Sequence, residues 1–205
     1  MRLDRVLGWP LLAVALLAGS PARADLAPPD YKAYHGQRAY AESLLALRTG
    51  HTERALDAAR RARDLRPEDP DTLYLLGVCH LFAGELEPAR DSLLAVLEKE
   101  PDLVEAHHDL GLIWLAMGDS TQAALAFTRV EALRPESWIG PYRLAQVSGL
   151  LEGDLAACER HLRRAVDSGY PYAASLPVDP DWAELAADPA FLEMIGRIVG
   201  EDEGG

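Results

Sequence analysis

Three prolines, Pro67, Pro101 and Pro135, close similar stretches of the chain at intervals of 34 residues. Counting back from each finds Gly50, Gly84 and Gly118 at one offset and Ala55, Ala89 and Ala123 at another. Leu93 and Phe127 share a register, as do Leu76-Gly77 and Leu110-Gly111. A repeat this short cannot bury an apolar face by itself, so its copies must stack on one another.

Each unit reads as two helices. Glycine separates two apolar-periodic runs, where one helix ends and the chain turns. Proline follows the second run, where a helix cannot continue. Gly77, Gly111, Ala89 and Ala123 are small enough for paired helices to approach closely. Leu73, Leu76, Trp114 and Phe127 fill the space beside them.

These residues resemble the tetratricopeptide repeat family. Units 70–103 and 104–137 carry most of its signature. Unit 36–69 has Glu42 and Ser43 where leucine and glycine are usual, but its second helix matches well. A fourth unit, 138–170, is degenerate: its second helix fits only with one extra residue in the turn, and Pro141 falls early in its first helix. The resemblance implies an all-α, right-handed α-solenoid over residues 36–170. Residues 171–199 leave the repeat pattern. There Asp179-Pro180 and Asp188-Pro189 read as N-caps followed by proline at the first helical position. This stretch is similar to the tail that often ends such arrays, and is expected to be a helical cap over the last stacking face. Residues 25–35 read as a linker and 200–205 as an acidic tail.

The first 24 residues read differently. Arg2 and Arg5 precede an apolar core, Leu11 to Ala18, and Ala22-Arg23-Ala24 offers a small-x-small cleavage site before Asp25. The apolar run is short for a membrane span. The expectation is a cleaved signal peptide and an exported product in the periplasm or outside the cell, with no membrane insertion after cleavage. Net charge is −13, and removing residues 1–24, with three arginines and one aspartate, leaves about −15. Such a surface disfavours nucleic acid and anionic lipid and favours basic partners. The repeat register puts Cys79 and Cys158 about two units apart, too far for a disulfide.

By the resemblance, positions 2, 5, 9 and 12 of each first helix line a concave groove. Position 5 carries Tyr40, Tyr74, His108 and Tyr142; position 9 carries Leu44, Val78, Leu112 and Gln146; position 2 carries Gln37, Asp71, Glu105 and Ile139. Aromatic rings give large contact area at low entropic cost, so this row is the candidate peptide-binding groove, with Asp71 and Glu105 at its edge. Some relatives grip acidic C-termini with a clamp of basic residues. Here those positions hold tyrosine, leucine and acid, with only Arg48 and Arg143 nearby, so that function is not carried over. The expected partner is another protein, through a basic or aromatic segment bound as an extended peptide or helix. The alternative is a structural subunit that assembles through its convex face or ends.

Catalysis is not expected. The chain lacks a GxSxG elbow, a phosphate-cradling glycine loop and a Cys-x-x-Cys pair. No metal or cofactor is expected either. His107 and His108 point about 100° apart on a helix and cannot readily share one ion.

Overall fold

The computed structural model describes residues 31–202, with side chains through residue 200. The signal-peptide reading, residues 25–30 of the linker and residues 203–205 lie outside the described residues. Among the described residues the protein is all-α, built as consecutive packed helix pairs. The pairs are α1 (Tyr31–Arg48) with α2 (Thr52–Leu65), and α3 (Pro70–Ala83) with α4 (Leu86–Leu97). They continue as α5 (Val104–Met117) with α6 (Ser120–Leu133), and α7 (Ile139–Gln146) with α8 (Leu155–Asp167). Two short 3-10 turns, Ala173–Val178 and Pro180–Trp182, lead to α9 (Pro189–Asp202). Residues 31–35, expected in the linker, are therefore helical, and so are 200–202 of the expected tail. Asp179-Pro180 starts only a single 3-10 turn, whereas Asp188-Pro189 does open a helix. No helix among the described residues is long and apolar enough to cross a membrane.

The repeated glycines have a backbone reason. Gly50, Gly84, Gly118 and Gly153 have φ of 74°, 75°, 79° and 67°, left-handed conformations that a Cβ disfavours. At the entry to the second helices, Asp119 and Asp154 accept from the backbone N–H of Gln122 and Ala157. Asp69 caps α3 in the same way, accepting from Thr72 N–H at 3.0 Å, with Pro70 at the first helical position.

The chain divides into two compact units, residues 31–109 and 110–202. In the first, α1 packs on α2, α2 on α3 and α3 on α4. The face of α2 that meets its neighbours is almost all alanine: Ala55, Ala58, Ala59 and Ala62 are buried. This explains how Ser43 replaces the usual glycine. One repeat later Gly77 faces Leu93, with 3.0 Å from a hypothetical Cβ to that side chain. In the first repeat the register partner is the small Ala59, which leaves room for serine. Ser43 Oγ–H donates to Ala55 O at 2.9 Å.

In the second unit Gly111 lies against Phe127, and Ala145 and Leu162 share a core with Cys158, Trp182 and Phe191. The extra residue of the fourth repeat has a definite place. Residues Val147–Leu151 form a π-helical turn, whose i→i+5 bonding absorbs one residue more than an α-turn. Gly149 in that turn sits beneath the tail: a Cβ there would lie 3.1 Å from Leu185 and 3.3 Å from Trp182. Both cysteines are free and buried. Burial pushes the Cys79 thiol up to about 11, partly offset by a hydrogen bond with Ser43, and the Cys158 thiol up to about 12. Neither supplies much thiolate at neutral pH.

The glycines separate two opposite stability effects. A Cβ at Gly111 would lie 2.4 Å from Cε1 of the fully buried Phe127, whereas one at Gly196 meets nothing within 4 Å. Gly111→Ala is expected to destabilise by about 1–3 kcal/mol through overpacking. Gly196→Ala is expected to stabilise by roughly 0.5–1 kcal/mol, the ordinary helix gain. Urea midpoints of the two variants check the opposite signs.

Candidate functional site

The first unit brings Tyr40, Tyr74, His108 and the acids around them together. Tyr74 projects from α3 and is 5 % exposed. Its hydroxyl donates to Asp109 Oδ2 of α5 at 2.8 Å. His108 Nδ1 lies 3.2 Å from the other carboxylate oxygen. Tyr40 on α1 is likewise buried, and Arg66 beside it donates to Gln37 Oε1 at 3.0 Å and Asp69 Oδ1 at 2.7 Å.

The candidates thus play unequal parts. Tyr40, Tyr74 and Val78 are buried; Leu44, Glu105 and His108 are half-buried; Asp71 is exposed. The accessible surface of this face is acid, imidazole and leucine, with the tyrosine rings packed beneath. Burial pushes the Tyr74 hydroxyl well above its ordinary value of 10.0, followed by the Asp109 charge and hydrogen bond and by Glu105. Tyr40 rises through burial and then the charges of Asp71 and Asp69, against a smaller opposing effect of Arg66.

These shifts make stability sensitive to alkali. A tyrosine whose folded pKa is raised holds its proton better when folded. Its stabilising contribution is complete below about pH 10, the unfolded value, and is lost as pH rises from there toward the folded value. Tyr142 is raised too, by burial and then by the neighbouring Tyr170. Loss of helix and growth of tyrosinate absorbance are therefore expected to coincide above about pH 10. Tyrosinate absorbance that grows fully while ellipticity stays native would contradict the buried placement of these rings.

In the second unit the row meets the chain's own tail. Leu112 is buried in a cluster with Leu115, Phe127, Leu144 and Val147. Tyr142 accepts from the indole N–H of Trp182 at 3.0 Å. Gln146 Nε2–H donates to Asp181 Oδ2 at 3.4 Å, and Arg143 Nη1 lies 3.7 Å from the same oxygen while donating to Gln146 Oε1 at 2.7 Å. Burial raises the Asp181 carboxyl, and Arg143 partly offsets that. Tyr142 and Gln146 thus face residues 181 and 182 of the same chain.

His80 Nδ1 meets Glu85 Oε2 at 2.6 Å, and His107 Nε2 meets Pro101 O at 2.8 Å. A cleft of about 440 Å³ lies away from the tyrosine row, between α1 and α2, lined by Tyr31, His35, Arg38, Glu42, Arg61 and Asp64. Its charges are partly paired internally, Glu42 taking both Arg54 and Arg61.

Asp109 was missed from the sequence. A signal for it exists: the same register position holds Ala41 and Leu75 in the two preceding units, so a carboxylate there is out of pattern.

The tetratricopeptide repeat model matches residues 40–104 and 80–137. No curated protein matches the sequence. Among solved structures, MamA from Desulfovibrio magneticus RS-1 is 20% identical, with a TM-score of 0.66 over 87% of this chain and 98% of that one. TTC0263, a thermophilic TPR protein of Thermus thermophilus, is 20% identical with a TM-score of 0.60, covering 81% of this chain and 89% of its own. YrrB, described as a TPR protein with an unusual peptide-binding site, is 16% identical with a TM-score of 0.61, covering 79% and 84%. The matched residues are those of the 34-residue register, and the glycine turns and helix pairs found at them are what that register demands: the chain belongs to the tetratricopeptide repeat family.

Proposed function

We propose that this protein is an exported, non-enzymatic interaction module that binds a segment of another protein on the face carrying Tyr40, Leu44, Asp71, Tyr74, Glu105 and His108. The observation that carries this reading is the tyrosine row at one repeat register, with acid left at its surface. Buried aromatic rings give a stiff floor, and stiffness lowers the ordering cost of binding. Carboxylates at the rim favour a partner segment with Lys or Arg and steer its approach. YrrB, a structural neighbour, is described as having a peptide-binding site, which fits this use of the fold.

Export rests on the N-terminal pattern of Arg2, Arg5, the apolar core and Ala22-Arg23-Ala24. N-terminal sequencing of the protein recovered from its cell is expected to read from Asp25; Met1 in the membrane fraction would count against it.

A second reading, a structural subunit, draws on α1, where Tyr31, Tyr34 and Leu45 are exposed. One experiment separates the two. A photo-crosslinking residue is placed at Glu105 in one sample and at Leu45 in another. Capture of a different protein from Glu105 supports the interaction module. Self-crosslinking from Leu45, with nothing captured from Glu105, supports the subunit.

A further inference from the structure

We propose that Asp109 is the specificity-determining residue of this face, and that it receives a lysine or arginine lying next to an aromatic residue in the partner segment. This rests on the reading of the face as a partner-binding surface and adds the chemistry of what it selects.

The first observation is the carboxylate itself. At 8 % exposure, Asp109 is the one buried Asp or Glu among the described residues. A buried carboxylate is costly unless its charge is matched. Its partners are the Tyr74 hydroxyl at 2.8 Å and His108 Nδ1 at 3.2 Å, with no lysine or arginine among them. The surrounding charges of the unit do not match it either: Glu105 and Asp71 lie around the same two tyrosines. A hydroxyl positions the carboxylate but does not neutralise it, and the imidazole of His108 balances its charge only when protonated.

The second observation comes from the same register position one repeat later, and it is independent of the first. Residue 143 stands 34 residues after Asp109 and is an arginine. Arg143 is buried, stacks 5.5 Å from the centre of the Tyr142 ring, and lies 3.7 Å from Asp181. The next residue, Trp182, donates its indole N–H to Tyr142. In the last repeat, then, positions 5 and 6 already hold a segment of chain. The ring at position 5 takes an aromatic residue, and the charge at position 6 takes its opposite. The occupying dipeptide is Asp-Trp, read by Tyr-Arg. In the preceding repeat positions 5 and 6 are His108-Asp109, with the charge reversed. The complementary dipeptide there is a cation beside an aromatic residue. A planar guanidinium matches a carboxylate with paired N–H donors, so arginine suits the site better than lysine.

The test uses the full processed protein and short fluorescent peptides, otherwise neutral, carrying Arg-Trp, citrulline-Trp or Asp-Trp. Arg-Trp is expected to bind at least about tenfold more tightly than citrulline-Trp, which is isosteric and uncharged. Asp109→Asn keeps an acceptor for Tyr74 and is expected to abolish that preference, with little change in thermal midpoint. Asp71→Asn, an exposed charge, is expected to weaken binding only at low salt. Equal binding of Arg-Trp and citrulline-Trp to the wild type overturns the proposal and leaves the binding face standing. So does a preference that survives Asp109→Asn. Failure of all three peptides to bind overturns the binding face and the proposal together. Should Asp109→Asn not fold, a photo-reactive Arg-Trp peptide on the wild type decides. Labelling at Tyr74 or His108 supports the assignment, and labelling elsewhere overturns it.

Discussion

Trp182→Ala is expected to destabilise the 110–202 unit by about 3–5 kcal/mol, the range for removing a large aromatic from a packed core. Trp182 is fully buried and stacks on Phe191 with ring centroids 5.4 Å apart. It also donates to Tyr142 and lies over the π-helical turn beside Gly149. Its loss opens a cavity and leaves the Tyr142 hydroxyl without that donor. A loss of this size is a large share of a typical domain's stability of about 5–15 kcal/mol, so partial unfolding at moderate temperature is expected. Urea unfolding followed by ellipticity measures it. A loss below about 1 kcal/mol would mean that the tail is an ornament and not part of the core. Trp182→Phe, which keeps most of the ring but removes the indole N–H, is expected to lose roughly 1–2 kcal/mol, separating packing from the hydrogen bond.

The second large effect concerns association. Asp71→Lys combined with Glu105→Lys changes the charge of the accessible rim by about +4 while leaving the tyrosines beneath untouched. The on-rate for the partner is expected to fall at least about tenfold at low salt, and its dependence on salt to flatten or reverse, because rim charges act mainly by steering. The effect on folding is expected to be small: Asp71 is exposed and Glu105 half-buried. Stopped-flow or surface-based kinetics at two salt concentrations, beside thermal midpoints, checks both halves. An unchanged on-rate would move the partner to another face. Tyr74→Ala is a poorer probe. Tyr74 is buried and holds Asp109, so its truncation mixes a folding loss with any binding loss.

The helix pairs and their turns are properties of the 34-residue period. Glycine in four successive turns, at one offset in three of them and one residue later in the fourth, with φ of 67° to 79°, follows from local backbone chemistry and needs no knowledge of packing. The exchange of sizes between register partners was half visible. Gly111 and Phe127 are both plain in the sequence. That serine fits at position 43 because the facing helix is built of alanine is a fact of two helices read together.

The site was less legible, for a reason of range. Periodicity says which residues share a helix face; it does not say what returns to cover that face. Tyr142 and Gln146 stand in the same register as Tyr74 and Val78. Residues 181 and 182, which lie outside the repeats, fold back onto them and engage their polar groups. Asp109 fell outside the register positions expected to matter, and only the approach of Tyr74 from another helix makes its carboxylate part of the face. The repeat, its helices and the tyrosine row are legible in the order of residues, because they depend on contacts a few residues or one period apart. The tertiary structure alone decided which tyrosines lie beneath the surface, which carboxylate is buried without a lysine or arginine, and where the tail lies. Those depend on long-range burial, which no local period encodes.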